Sequence, residues 1–316
     1  MSDKLIEVKN LVKYFSTGNG VVHAVDHVSF SINRGETLGV VGESGCGKTT
    51  LGRCVLNLIR PTSGEIFFEG RDIMQKGTDW KKLCQELQII FQDPYSSLDP
   101  RKSVFDLIAE PLRINRLCSS KKELDERVSS AMETVGLAER FTNSYPHELD
   151  GGRRQRIGIA RALVMNPKFV VCDEPVSALD VSIQAQILNL MMDIQETRGV
   201  TYMFITHDLS VVKHISTNIM VMYLGEIVEM APKHELFANP RHPYTKALLD
   251  AVPIADASRR SRRPELIRGE VTSPVDPKPG CRFYQRCPFA TPECLDPSLA
   301  AREIAPGHIL RCCHPL

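Results

Sequence analysis

GESGCGKTT, at residues 42–50, follows the short apolar run TLGVV (37–41) and opens a helical pattern. It fits the spacing G-x-x-x-x-G-K-[ST]. Gly42, Gly45 and Gly47 let the backbone curl so that its N–H groups face phosphate oxygens. Lys48 can reach the β- and γ-phosphates of a nucleotide, and the Thr49 hydroxyl can ligate Mg²⁺. The candidate nucleotide-binding set is therefore Gly42, Glu43, Ser44, Gly45, Cys46, Gly47, Lys48, Thr49 and Thr50. A chance match in a glycine-rich turn is the competing reading. The strand before the loop and the helix after it argue against that.

Working outward, KFVVCDEP (168–175) is an apolar strand ending in two acids. Asp173 can hold Mg²⁺ through water, and Glu174 is placed to polarise an attacking water as general base. Residues 5–33 alternate apolar and polar, an antiparallel strand pattern. LQIIF (87–91), GVTYMFITHD and NIMVMYLGEIVEM are further strands, and residues 181–197 put Ile183, Ile187, Leu190, Met191 and Ile194 on one helical face. Residues 95–150 carry helical signals and no clear strand. The alternation on both sides of that insert predicts a mainly parallel α/β core. From about Pro232, Pro, Arg and Cys rise and the strand pattern fades.

The 316 residues suit one large domain, or one with a smaller companion. A net charge of +1 gives no field that points to nucleic acid. MSDKLIEVKN has no apolar core of a signal peptide, and no run is long enough for a membrane span. A cytosolic chain able to dock on a membrane protein is expected. Five of the ten cysteines crowd the end: Cys281, Cys287, Cys294, Cys312 and Cys313. In a reducing compartment such a cluster favours a soft metal centre over disulfides. Its spacing is too irregular for a zinc ribbon with paired C-x-x-C. The run RRSRR (259–263) reads as a solvated linker or as a contact for anionic lipid headgroups.

GESGCGKTT, Gln92 of IIFQDP, DGGRRQR (150–156), VVCDEP, SALD (177–180) and His207 of FITHD occur in one order. That order resembles the ATP-binding subunit of an ABC transporter, over about residues 5–231. The resemblance implies a P-loop NTPase fold: an antiparallel β subdomain and a RecA-like sheet (1–94 and 151–231), a helical subdomain (95–150) and a C-terminal extension (232–316). It implies two such chains head to tail, with each ATP between the loop of one and the Gly-Gly signature of the other. Gln92 then ligands Mg²⁺ with Thr49 and Asp173, His207 contacts the γ-phosphate, and Asp180 crosses the dimer interface with the signature residues Asp150, Gly151, Gly152 and Arg153. Phe15, in NLVKYF, matches the aromatic that stacks on adenine, with Tyr14 as the alternative.

DPYSSLDP and RHPYTKALLDAVP (241–253) are similar to the second of the two ATPases in oligopeptide and dipeptide importers, the peptide/nickel group. The implied partners are a second ABC ATPase, two integral membrane permeases and an extracytoplasmic substrate-binding protein. The implied place is the cytoplasmic face of the membrane. An importer ATPase for nickel or another small solute, or a soluble ABC ATPase not coupled to transport, are the alternatives. The resemblance also implies a 4Fe–4S cluster on Cys281, Cys287, Cys294 and Cys312, with Cys313 as an alternative fourth ligand. Zinc and unliganded thiols stay open.

One departure stands out. The family signature reads Leu-Ser-Gly-Gly-Gln, whereas this chain reads Leu149-Asp150-Gly151-Gly152-Arg153. Asp caps a helix as well as Ser does, but an ionised carboxylate cannot donate to a γ-phosphate and repels it. The expectation is an asymmetric pair of ATPases with one degenerate ATP site.

Overall fold

The structure is a computed structural model and describes residues 3–252 and 273–316. The basic run 259–263 lies outside the described residues. The described residues form twelve strands: β1 (Lys4–Thr17), β2 (Gly20–Asn33), β3 (Thr37–Val41), β4 (Ser63–Phe68), β5 (Arg71–Asp72), β6 (Leu87–Ile90), β7 (Phe169–Asp173), β8 (Thr201–Ile205), β9 (Asn218–Tyr223), β10 (Glu226–Pro232), β11 (Arg302–Ala305) and β12 (His308–Leu310). They belong to two compact units, one of residues 33–36 and 75–205, the other of residues 2–32, 37–74 and 206–316.

In the first unit β6, β7 and β8 run parallel in the order β8-β7-β6, with Leu87 opposite Phe169 and Phe169 opposite Thr201. Every residue of β7 and β8 is buried, so these strands read as continuous apolar runs rather than alternating ones. The stretch expected to be helical holds helices Val104–Asn115 and Lys121–Thr134. Ser103 and Ser120 cap them by accepting from the N–H groups of Asp106 and Glu123.

In the second unit β2-β1-β4-β5 make an antiparallel sheet, Ile6 facing Phe68. A separate run of strands follows the order β11-β12-β10-β9-β3. β3 and β9 are parallel, and β10, β12 and β11 are added antiparallel. The strand content past Pro232 corrects the sequence expectation there. β11 and β12 are four and three residues long, too short to display an alternation. The core of this unit joins Val41, Val221 and Tyr223 of the central strands to Tyr244 and Phe283 of the tail. Burying each of those two aromatic rings contributes about 2–3 kcal/mol.

Candidate nucleotide site

β3 delivers the chain into the loop at Gly42, which has φ +153°. A Cβ there would stand 2.2 Å from the carbonyl oxygen of Met222. Gly47, at φ +104°, caps the helix Lys48–Val55, and its Cβ would meet the Ala24 oxygen at 1.9 Å. Both positions exclude any side chain. Lys48 is buried and donates to the carbonyl oxygens of Gly42 (2.8 Å) and Glu43 (2.9 Å). It is folded onto the loop, its ammonium held by carbonyl acceptors the chain supplies. Burial pushes the Cys46 thiol up against the lowering influence of Lys48, and its carbonyl accepts from Gly225 N–H at 2.8 Å.

The same unit carries both aromatic candidates and His207. The Tyr14 hydroxyl donates to Asp26 Oδ1 at 2.5 Å, and its ring stacks on His23 at 3.9 Å. Burial and Asp26 push its phenol up to about 12. Phe15 is 38% exposed, with Lys13 Nζ over its face at 4.8 Å. The ring offered to solvent is Phe15. His207 is exposed and precedes Asp208, whose side chain caps the helix Leu209–Ile215 by accepting from Ser210 N–H.

The first unit carries the acids. Asp173, at the end of β7, is 2% exposed. Glu174 follows with φ +47°, a left-handed backbone that a non-glycine residue adopts at a cost of about 1–3 kcal/mol. Three bonds hold it there: its N–H donates to Ile205 O at 2.9 Å, and its own carbonyl accepts from the N–H and hydroxyl of Ser177. Gln92 Nε2 donates to Glu174 Oε2 at 2.9 Å, which brings two of the predicted residues together.

Asp150 caps the signature helix Gly151–Leu163 and accepts from Arg153 N–H at 2.8 Å. Its other oxygen pairs with the Arg153 guanidinium at 2.6 Å, and that guanidinium lies over the Phe141 ring. The two glycines admit close packing: a Cβ on Gly152 would stand 2.7 Å from Ile183 Cγ2, and one on Gly151 3.2 Å from Leu179 Cδ2. Asp180 caps the helix Val181–Arg198 through Ile183 N–H, and its carboxyl is held low by the Ser182 hydroxyl and that N–H.

The tail thiols were expected to hold iron–sulfur or zinc. Cys281 does lie within electrostatic reach of Cys287, Cys294 and Cys312. Yet among the described residues no group of three or more His, Cys, Asp or Glu side chains is arranged to hold a metal ion. All five are free, and burial pushes Cys281 up to about 12 and Cys312 up to about 11. The residues as they stand do not fit either centre. Cys313, the alternative ligand, lies beside Cys294 and also directs its sulfur to the Glu293 carbonyl.

Sequence reasoning missed what the tail does beside the loop. Arg286 forks the Glu43 carboxylate at 2.7 and 3.0 Å, and Tyr244 Oη accepts from Glu43 N–H at 2.9 Å. Arg282 pairs with Asp26 and, at 3.3 Å, with Glu226. No local signal announces contacts between residues 201 and 243 positions apart.

A glycine loop with a buried lysine, strand-end acids and a glycine-capped helix are the parts of a nucleotide-hydrolysing cassette. Comparison with known proteins makes this particular. The family model described as "ABC transporter" matches residues 25–177, and "Oligopeptide/dipeptide transporter, C-terminal region" matches residues 228–294. The oligopeptide transport ATP-binding protein OppF of Bacillus subtilis (strain 168) is 50% identical over 315 residues, covering 99% of this chain and 97% of that protein. AppF of the same organism is 47% identical over 320 residues, covering 98% and 97%. The solved dimer of the ATP-binding cassette MJ0796 in a post-hydrolysis state with ADP and Pi is similar at TM-score 0.66 and 28% identity, over 72% of this chain and 98% of that one. The chain belongs to the ABC transporter ATPases, in the group of the oligopeptide transport ATP-binding proteins. Among the described residues no helix is long and apolar enough to cross a membrane.

Proposed function

We propose that this chain is the ATP-binding and hydrolysing subunit of a peptide importer, attached at the cytoplasmic face of the membrane to two permease subunits and fed by an extracytoplasmic substrate-binding protein. Near full-length similarity to oligopeptide transport ATP-binding proteins supports the substrate class. Glu174, held in a left-handed conformation with Gln92 on its carboxylate, carries the hydrolytic role. Phe15 stacks on adenine. The loop N–H groups and Lys48 bind the β- and γ-phosphates. Thr49, Asp173 and Gln92 would hold Mg²⁺, which supplies charge neutralisation at the phosphate oxygens. Glu174 takes a proton from the attacking water as the water oxygen bonds to the γ-phosphorus, the bond from that phosphorus to the ADP oxygen breaks, and ADP and inorganic phosphate leave. His207 contacts the γ-phosphate.

The partner in this reading is a second, different ABC ATPase. This chain's loop and Glu174 pair with the partner's signature to make the competent site. Its own Asp150 serves the partner's ATP and makes a weak one. The support is that Asp150 has only acceptors, and both its oxygens are engaged by Arg153. The test is ATP hydrolysis by the assembled transporter with Glu174→Gln, beside the matching change in the partner ATPase. Loss of nearly all turnover in the first, with most retained in the second, is expected. Equal losses overturn the asymmetry.

A further inference from the structure

Four polar atoms of Glu43, the second residue of the phosphate loop, are satisfied within one unit. Its N–H goes to Tyr244, its carbonyl to Lys48, and its two carboxylate oxygens to Arg286. Two of these three partners come from the segment matched by the oligopeptide/dipeptide C-terminal model, beyond the match to the ABC model. We infer that Arg286 and Tyr244 are positioning residues for ATP binding: the C-terminal segment fixes the loop backbone and neutralises the carboxylate it carries. The inference rests on reading residues 42–49 as the loop that takes the ATP phosphates.

The clamp is itself rigid. Tyr244 is fully buried, and its ring meets Tyr223 edge-on at 4.8 Å and Phe283 at 5.3 Å. Phe283 lies three residues before Arg286, inside the same core. The Arg286 side chain is 7% exposed, and its Nη1 also donates to Tyr223 Oη at 3.3 Å. A long side chain so enclosed has already lost its rotamer freedom, so ordering it adds nothing to the cost of binding.

Charge explains why a clamp is placed there. A carboxylate one residue past Gly42 adjoins a site for a polyphosphate, and its repulsion would oppose binding. The planar guanidinium matches both carboxylate oxygens and cancels that charge, as a lysine ammonium could not in the same geometry. The N–H of Glu43 is meanwhile committed to Tyr244, so the loop presents its remaining N–H groups from a fixed frame. Removing Arg286 therefore harms binding through the acid it leaves bare, and removing that acid as well undoes the harm. A residue that merely fills the core would not behave so.

The experiment is a Mg²⁺-dependent titration of a fluorescent ATP analogue on the full chain, with a thermal melt of each protein. Arg286→Gln is expected to weaken binding about tenfold or more, because a partly buried carboxylate beside the phosphates loses its partner. Glu43→Gln/Arg286→Gln is expected to recover most of that loss. Tyr244→Phe keeps the ring in the core and removes only the acceptor for Glu43 N–H. It is expected to weaken binding severalfold at an unchanged melting temperature, and it decides the matter should Arg286→Gln not fold. Wild-type affinity in both Arg286→Gln and Tyr244→Phe overturns the inference while leaving the ATP reading intact. A double variant no better than Arg286→Gln also overturns it. A wild-type chain that does not bind the analogue overturns both.

Discussion

Replacing Asp150 by Ser separates the charge at the signature helix from its capping role. Ser and Asp cap equally well, so the Arg153 N–H, now 2.8 Å from Asp150 Oδ1, keeps an acceptor. The ion pair with the Arg153 guanidinium is lost. Its ends are 44% and 58% exposed, and such a pair contributes at most about 1 kcal/mol. Stability should therefore change by less than about 1 kcal/mol. In the proposed head-to-tail pair the effect on the opposing ATP is larger. A unit charge about 4 Å from a phosphate oxygen costs about 4 kcal/mol at an effective dielectric near 20. Arg153 and the helix N-terminus offset part of that, and Ser restores a hydroxyl donor. Where one of two bound ATPs turns over, waking the other raises total hydrolysis by at most about twofold. The assay is steady-state phosphate release by the assembled transporter, wild type against D150S, at low and high salt. A rise that shrinks the wild-type difference as salt screens the carboxylate is expected. A folded D150S complex with an unchanged or lower rate refutes the reasoning, because Arg153 would then already have neutralised the acid.

Two further outcomes follow from buried groups. Glu229 is fully buried and accepts from Arg241 N–H (2.8 Å), His242 N–H (2.9 Å) and His308 Nε2 (2.8 Å), tying β10 to β12 and to the helix Pro243–Asp250. Glu229→Leu strands these donors and should destabilise by about 3–5 kcal/mol, read as a melting temperature lower by roughly 10 °C; a fall of under about 2 °C would show that the tail does not depend on this link. Burial raises Cys54 and Cys312 to about 11 and Cys281 to about 12. The thiolate is the reactive form, so alkylation of these three at pH 8 should be slow and should climb tenfold per pH unit, while the exposed Cys84 reacts promptly. Mass spectrometry showing all four modified at one rate would contradict the buried placement.

The motifs of the candidate nucleotide site were legible because chemistry fixes their spacing. A phosphate loop needs its glycines, lysine and threonine within one turn, and an acid at a strand end needs only the apolar run before it. β3, β7 and β8 are buried throughout, so an unbroken apolar run marked each strand without any alternation to read. The conformation of Glu174 was not legible: positive φ is ordinarily announced by Gly or Asn, whereas here it is imposed by bonds from Ile205 and Ser177. Between Tyr14 and Phe15 the sequence left a choice. The structure gives Tyr14 an acid and a histidine to hold and leaves the Phe15 ring outward. The contacts of the tail with the loop were missed for a related reason. Its cysteines drew attention because clustered thiols suggest a ligand set, and no role was read from the arginines between them. Arg282 and Arg286 are instead almost wholly enclosed, and each neutralises an acid more than 240 residues earlier in the chain. Packing accepts a partner from any sequence distance. What holds a motif in place is therefore written outside it, in residues whose type alone carries no signal.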